Sequence, residues 1–227
     1  MQAIPAQECG RATPLGAAVL LPLAREEQAR ADLYALIARL LITPPESGLL
    51  DALAAADSLD SLATDHPLDR AWESLVLAAG VLDAAAVHEE FNDLFISAGT
   101  PQINPYASLY LGGFLHEKPL VALRTELAQL GLARIDGAGE TEDHLAALCE
   151  AMRLMIAGGA GVGALRQPLD RQKQFFEKHI ASWSSRCLDE ICALQEANFY
   201  RRVAEFSREF FLVEAQAFDM ADELNSH

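Results

Sequence analysis

Apolar residues recur at steps of three and four along nearly the whole chain, the spacing that gathers side chains on one face of an α-helix. In REEQARADLYALIARLLI (25–42), Leu33, Leu36, Ile37, Leu40 and Leu41 share a face. TPPES then ends the helix, because proline cannot continue the hydrogen-bond ladder. Pro67 opens a second helix, with Trp72, Leu75, Val76 and Ala79 facing inward. In DAAAVHEEFNDLFI, the predicted inward face is Val87, Phe91, Leu94 and Phe95. Further helices are predicted from about Leu120 to Leu130 and from near Thr141 onward, with two or three more between Asp170 and Leu224. In the last of these, Phe199, Val203, Phe206, Phe210 and Val213 form one stripe.

Three stretches interrupt this pattern. SAGTPQINPYASLYLGGF (97–114) carries two prolines and three glycines and reads as an ordered loop or a short irregular helix. ARIDGAGE (133–140) is the expected hinge, and AGGAGVGALRQP (157–168) is a glycine-rich connector. No strand-like alternation persists, and no repeat of solenoid length is present. At about 11–12 residues per helix, eight to ten helices are expected. The expected fold is an all-α multi-helix bundle without a sheet, one domain over residues 25–227.

The first 24 residues stand apart. PLGAAVLLPLA (14–24) is apolar and preceded by Arg11. It is shorter than the roughly 20 residues a membrane span needs. It also has an internal Pro22 and no small-residue cleavage site before REEQ. It reads as a loosely packed extension, and stable membrane insertion is not expected.

Composition narrows the function classes. The chain has 227 residues, 51% hydrophobic and 22% charged, which is globular rather than disordered. Its formal net charge of −16 repels phosphate backbones and anionic lipid, so nucleic-acid binding is not expected. A basic partner would be attracted. The four cysteines, Cys9, Cys149, Cys187 and Cys192, form no CxxC, which suits a reducing compartment better than a disulfide framework.

Candidate chemistry is sparse. Gly158, Gly159, Gly161 and Gly163 lack the Lys-Ser/Thr that completes a phosphate loop, and a helix precedes them instead of a strand. His88-Glu89 begins a zincin-like pair, but Asn92 stands where the second histidine is required. Ser108 lacks the G-x-S-x-G elbow of a nucleophile. No catalytic residue and no metal site is assigned. One cluster remains, Glu140, Glu142, Asp143 and His144, ahead of the stripe Leu145, Leu148, Cys149, Met152, Met155 and Ile156. Acidic residues in a first helical turn complement the helix dipole. On the helix expected from Thr141, Asp143 turns toward the polar side and His144 borders the stripe. A purely structural role and a partner-binding role both fit this pattern.

Taken with two other stretches, the cluster resembles the TorD/DmsD/NarJ family of chaperones. The family's E-P-x-D-H run is matched by Glu140, Asp143 and His144, with Thr141 in place of proline. Its F-x-x-L-F and P-Y-x-S-x-Y patterns are matched by Phe91, Leu94, Phe95, Pro105, Tyr106, Ser108 and Tyr110. Its Q-x-x-F-x-x-H-x-x-x-W pattern is matched by Gln172, Phe175 or Phe176, His179 and Trp183. The resemblance implies a cytoplasmic, non-enzymatic, TorD-like helical chaperone. Such a protein binds the twin-arginine-type signal peptide of a molybdenum-containing oxidoreductase's apo-catalytic subunit and holds it for cofactor insertion. It implies a peptide site at Glu140, Asp143, His144, Tyr106, Ser108, Tyr110 and Phe114, with Phe91, Phe95, Pro105, Gln172, Phe176, His179 and Trp183 as structural motif residues. It implies no resident cofactor, at most weak GTP binding or transient contact with the molybdenum cofactor, and a monomer or domain-swapped dimer. The alternatives are a GTP-binding assembly factor and a structural helical subunit of a redox complex.

Overall fold

The computed structural model describes residues 22–59, 66–97, 100–112, 118–132, 139–159 and 166–225. Phe114, residues 133–138 of the hinge expected at 133–140, residues 1–21 of the extension and residues 160–165 of the glycine-rich stretch lie outside them. Ten α-helices occur among the described residues: α1 (Arg25–Ile42), α2 (Ser47–Ala54), α3 (Pro67–Val81), α4 (Ala84–Phe91), α5 (Ala107–Gly112), α6 (Lys118–Gln129), α7 (Leu145–Ala157), α8 (Leu169–Phe176), α9 (Ser184–Ala193) and α10 (Phe199–Asn225). There is no sheet among them; the one strand-like pairing is an isolated antiparallel bridge between Tyr106 and His144. No single described helix is long and apolar enough to cross a membrane.

The all-α expectation holds, and most of the predicted stripes face the core. Ile37, Leu40 and Leu41 of α1 are buried, as are Trp72, Leu75 and Ala79 of α3 and all six stripe residues of α7. α1 packs along α7, and α10 packs against α3 and α9. The sequence pattern did not reveal α2, whose eight residues bury only Leu50 and Leu53 against α3. Val76, Phe95 and Val213 are partly buried, not core.

Two π-helical turns explain part of that difference. One, Asn92–Ile96, extends α4, and the other, Glu177–Ala181, extends α8. Each widens the helix by a residue per turn and rotates the residues after it off the 3.6-residue register. Phe95 is thereby turned partly outward, though its ring still meets Phe91 at 5.0 Å and Tyr200 at 5.1 Å.

Two polar devices fasten the long α10. The Glu90 carboxylate on α4 accepts hydrogen bonds from the backbone N–H groups of Asn198 (2.9 Å), Phe199 (3.1 Å) and Tyr200 (2.8 Å). It therefore caps the positive end of a helix far away in sequence. Further along, buried Glu214 accepts from Arg30 at 2.7 and 2.8 Å and from the Tyr34 hydroxyl at 3.0 Å, tying α10 to α1. A carboxylate is tolerated in this core position because its charge is paired and both oxygens are bonded.

Candidate functional site

The sequence cluster lies where the loop before α5 meets the start of α7. The Ala107 N–H donates to the Asp143 carbonyl (3.0 Å), and the Leu145 N–H donates to the Pro105 carbonyl (2.8 Å). These two bonds form the bridge between Tyr106 and His144. Asp143 completes the joint: its Oδ2 accepts from the Ser108 N–H (3.1 Å) and its Oδ1 from the Thr141 hydroxyl (2.6 Å). The substitution of threonine for proline at 141 thus supplies a hydroxyl donor that proline lacks.

The expected start of the helix near Thr141 is corrected here. α7 begins at Leu145, because His144 leaves helical geometry (φ −65°, ψ 137°) and its Nδ1 accepts from the Ala146 N–H at 3.1 Å. Asp143 therefore lies in the turn before the helix, not on its polar side, and is 1% exposed; His144 is 5% exposed. Burial pushes the His144 pKa down to about 4, against the opposing pull of Glu140 and Asp143. The imidazole is neutral at pH 7. Since Nδ1 accepts a bond, the proton is assigned to Nε2.

The other two acids are also engaged. Glu140 accepts a hydrogen bond from the Tyr106 hydroxyl. Glu142 takes a forked ion pair from Arg124 on α6, with contacts of 2.9 and 3.0 Å. The Tyr106 ring stands edge-on to His144 at 4.9 Å. Burial, then the Glu140 carboxylate, drives the Tyr106 hydroxyl pKa upward, so this tyrosine stays a donor.

One turn along α5, Tyr110 stacks on Trp183 with centroids 5.2 Å apart. Its hydroxyl donates to Glu190 on α9 at 2.5 Å, and the Arg186 guanidinium lies 5.6 Å from its ring. Arg186 also donates to the Tyr110 carbonyl at 2.8 Å. The half-buried rings of Tyr106 and Tyr110, with exposed Leu111 beside them, make a shelf edged by Glu140 and Glu190. Glu190 and Arg186 were absent from the sequence-derived set. They lie 80 and 76 residues from Tyr110, and nothing local in the sequence marks the pairing.

The third motif forms the wall behind this shelf. Trp183 is fully buried, and its indole N–H donates to the His179 carbonyl at 2.6 Å. His179 Nε2 meets Glu126 of α6 at 2.9 Å, and Lys178 reaches the same carboxylate at 2.6 Å. Burial works to raise the Glu126 pKa, but the bonds from Lys178 and His179 outweigh it and hold it below the usual carboxylate range. Buried Gln172 donates to the Gln167 carbonyl at 2.9 Å, and Phe176 packs on Phe211 and Phe218. A polar cleft of about 800 Å³ opens between α6 and α8, with Thr125, Glu126, Arg171 and Lys178 among its lining. Asp143 and His144 do not line it.

The structure therefore brings Glu140, Tyr106, Ser108, Asp143, His144 and Pro105 into one joint, with Tyr110 and Trp183 next to it. Phe91 and Phe95 sit elsewhere, against Tyr200 at the start of α10. The arrangement can hold an apolar or cationic segment against rings and carboxylates.

Comparison with known proteins identifies the family. The family model described as nitrate reductase delta subunit matches residues 61–189, more than half of the chain. The chain is 25% identical over 170 residues to the chaperone protein TorD of Vibrio cholerae, covering 71% of this chain and 77% of that one. It is 24% identical over 201 residues to the chaperone protein TorD of Vibrio atlanticus, covering 82% and 93%. These relatives are chaperones, not enzymes, and with the family model spanning the α5–α7 joint and the Trp183 wall, the chain belongs to the TorD/DmsD/NarJ family of chaperones.

Proposed function

We propose that this protein is a maturation chaperone for a molybdenum-containing oxidoreductase. In this reading it binds the basic, apolar N-terminal segment of the apo-catalytic subunit on the shelf formed by Tyr106, Tyr110 and Leu111, and holds that subunit in the cytoplasm for cofactor insertion and assembly before export. The observation that carries the reading is the pairing of each tyrosine hydroxyl with a carboxylate, Tyr106 with Glu140 and Tyr110 with Glu190. Each carboxylate is met by a neutral hydroxyl donor. An incoming arginine offers a full opposite charge and a forked pair of bonds in its place. The apolar part of the segment would lie along the rings. Burying about 500 Å² of it contributes about 12 kcal/mol gross, at roughly 25 cal/mol per Å². Ordering the peptide and losing its free motion costs several to more than ten kcal/mol, so micromolar affinity and ready release are expected.

Asp143 and His144 act in this scheme by position. Both oxygens of Asp143 are spent on Ser108 and Thr141, and His144 spends Nδ1 on Ala146, so in this scheme the pair fixes the shelf. The test is calorimetric titration with a peptide carrying paired arginines followed by about 12 apolar residues. Glu140→Gln combined with Glu190→Gln should weaken binding about tenfold or more while leaving the melting temperature nearly unchanged. Wild-type affinity in that double variant would remove the shelf from the site. The family description as a subunit favours one second reading, a protein that stays in the mature complex. Its presence in the purified active oxidoreductase, and not only with the precursor, would favour that reading.

A further inference from the structure

The outer face of α3 carries an apolar ridge between two clefts. Leu77 and Val81, four residues apart, stand in one row of the helix and are 68% and 74% exposed. On the α2 side, a cleft of about 340 Å³ is lined by Ala54, Val76 and Gly80, with Glu73 among them. On the α10 side, a second cleft of about 390 Å³ is lined by Ala78, Leu82 and Ala197, with Arg201 and Arg202. Leu77 and Val81 line both. Exposed apolar side chains scattered singly are ordinary. Two in one helical row, with a hollow on either side, form the ridge-and-groove relief by which helices pack on one another.

The charge on this face runs against that of the whole chain. The formal net charge is −16, yet the lining of the α10-side cleft has two guanidinium groups and no carboxylate. Arg202 is paired with Glu205 at 2.8 Å. Arg201 is held by a neutral group instead: its Nη2 donates to the Leu194 carbonyl at 2.7 Å, and its Nε is buried without an acceptor among the described residues. A full positive charge therefore stands in the wall of an apolar cleft, where a carboxylate is attracted and can accept a forked pair of bonds. Glu73 lies in the cleft across the ridge, so a guest's acid is directed to the α10 side. Size narrows the occupant further. A standard interface buries about 800 Å² per partner, far more than two exposed side chains and the cleft walls supply. A second copy would also set ridge against ridge and bring a further charge of −16.

We propose that this face docks a single amphipathic helix of another polypeptide, one with an acid beside its apolar row. The guest's apolar row enters the α10-side cleft, Leu77 and Val81 fill the groove beside that row, and the acid meets Arg201. The small area makes the contact weak and readily exchanged. No residue of either cleft belongs to the tyrosine shelf, so the inference is independent of where a signal segment binds.

The probe is an alanine-rich helical peptide of about 18 residues, with leucines in one row and one glutamate beside them; its control has lysine for the glutamate. In the full chain with labelled leucine and valine methyl groups, the Leu77 and Val81 signals should move on titration with the glutamate peptide. That peptide should bind about threefold to tenfold more tightly than the lysine control. The order is diagnostic, because the net charge of the chain by itself favours the lysine peptide. Leu77→Ser with Val81→Ser should abolish binding of the glutamate peptide, and Arg201→Gln should erase the preference between the two. The peptide pair tests the charge without altering the protein, so the result stands even where the Arg201 variant is destabilised. Unmoved Leu77 and Val81 signals overturn the proposal, as does equal or tighter binding of the lysine peptide. Leu77 and Val81 signals that change with protein concentration, or that show contacts to another segment of the chain in the free protein, overturn it as well. A second copy or the chain itself would then be the cover.

Discussion

Asp143→Ala separates a residue that builds the site from one that touches a guest. Asp143 is almost wholly buried, and its two oxygens accept from the Ser108 N–H at 3.1 Å and the Thr141 hydroxyl at 2.6 Å. Hydrogen bonds to a charged group contribute about 1.5–3 kcal/mol each, and an orphaned buried donor costs about 1–3 kcal/mol. The Thr141 hydroxyl is half-buried and can turn to water, so its loss is the smaller. The Ser108 N–H lies buried in the first turn of α5, so its loss is the larger. Together these figures predict a loss of about 3–5 kcal/mol, which for a chain of this size lowers the melting temperature by roughly 6–20 °C. Asp143→Asn should fall between the two, keeping one acceptor oxygen but losing the charge. Thermal and urea denaturation of the three proteins, monitored by circular dichroism, measure this. Amide exchange at Ala107 and Ser108 should accelerate in step with the loss. An Asp143→Ala protein that melts within about 2 °C of wild type, with exchange at Ser108 unchanged, would refute the assignment of this carboxylate to the joint.

The same contacts yield two further outcomes. His144 is neutral in the fold, with a pKa near 4 against about 6.5 unfolded, so between those values the unfolded chain binds the extra proton. Its contribution is intact above pH 6.5 and is lost as pH falls through that window. The loss is about 2 kcal/mol at pH 5 and approaches 3 near pH 4. His144→Asn keeps a helix-capping side chain without a titrating ring; a difference between the two proteins that stays constant in urea melts from pH 7 to 5 would contradict the burial of a neutral ring. Glu90→Ala should cost about 1–2 kcal/mol by uncapping α10. Hydrogen exchange should speed up selectively at residues 198–200, and unchanged exchange there would show that the carboxylate is not the cap.

The features legible in the sequence and those hidden from it divide along a physical line. Periodicity exposes faces, so the stripes of α1, α3 and α7 were readable from spacing alone, and Met152 and Leu148 are buried where the 3.6-residue pattern puts them. It cannot expose a helix start that depends on what the capping side chain bonds to. The acids Glu140, Glu142 and Asp143 looked like one group because they are neighbours in sequence. In space each is drawn to a different partner: Glu140 to Tyr106, Glu142 to Arg124 and Asp143 to the Ser108 N–H. The same separation hid Glu190, which belongs with Tyr110 only after α9 packs beside α5, and Glu90, a surface acid of α4 until the start of α10 arrives beside it. The π turn at Glu177–Ala181 carries the point furthest. Spacing predicts that His179 and Trp183 are stacked one turn apart on a regular helix. Trp183 has left the helix (φ −146°), and its indole N–H holds the carbonyl of His179 in the π turn. That bond aims the indole at Tyr110, so a local irregularity in α8 determines the back of the tyrosine shelf.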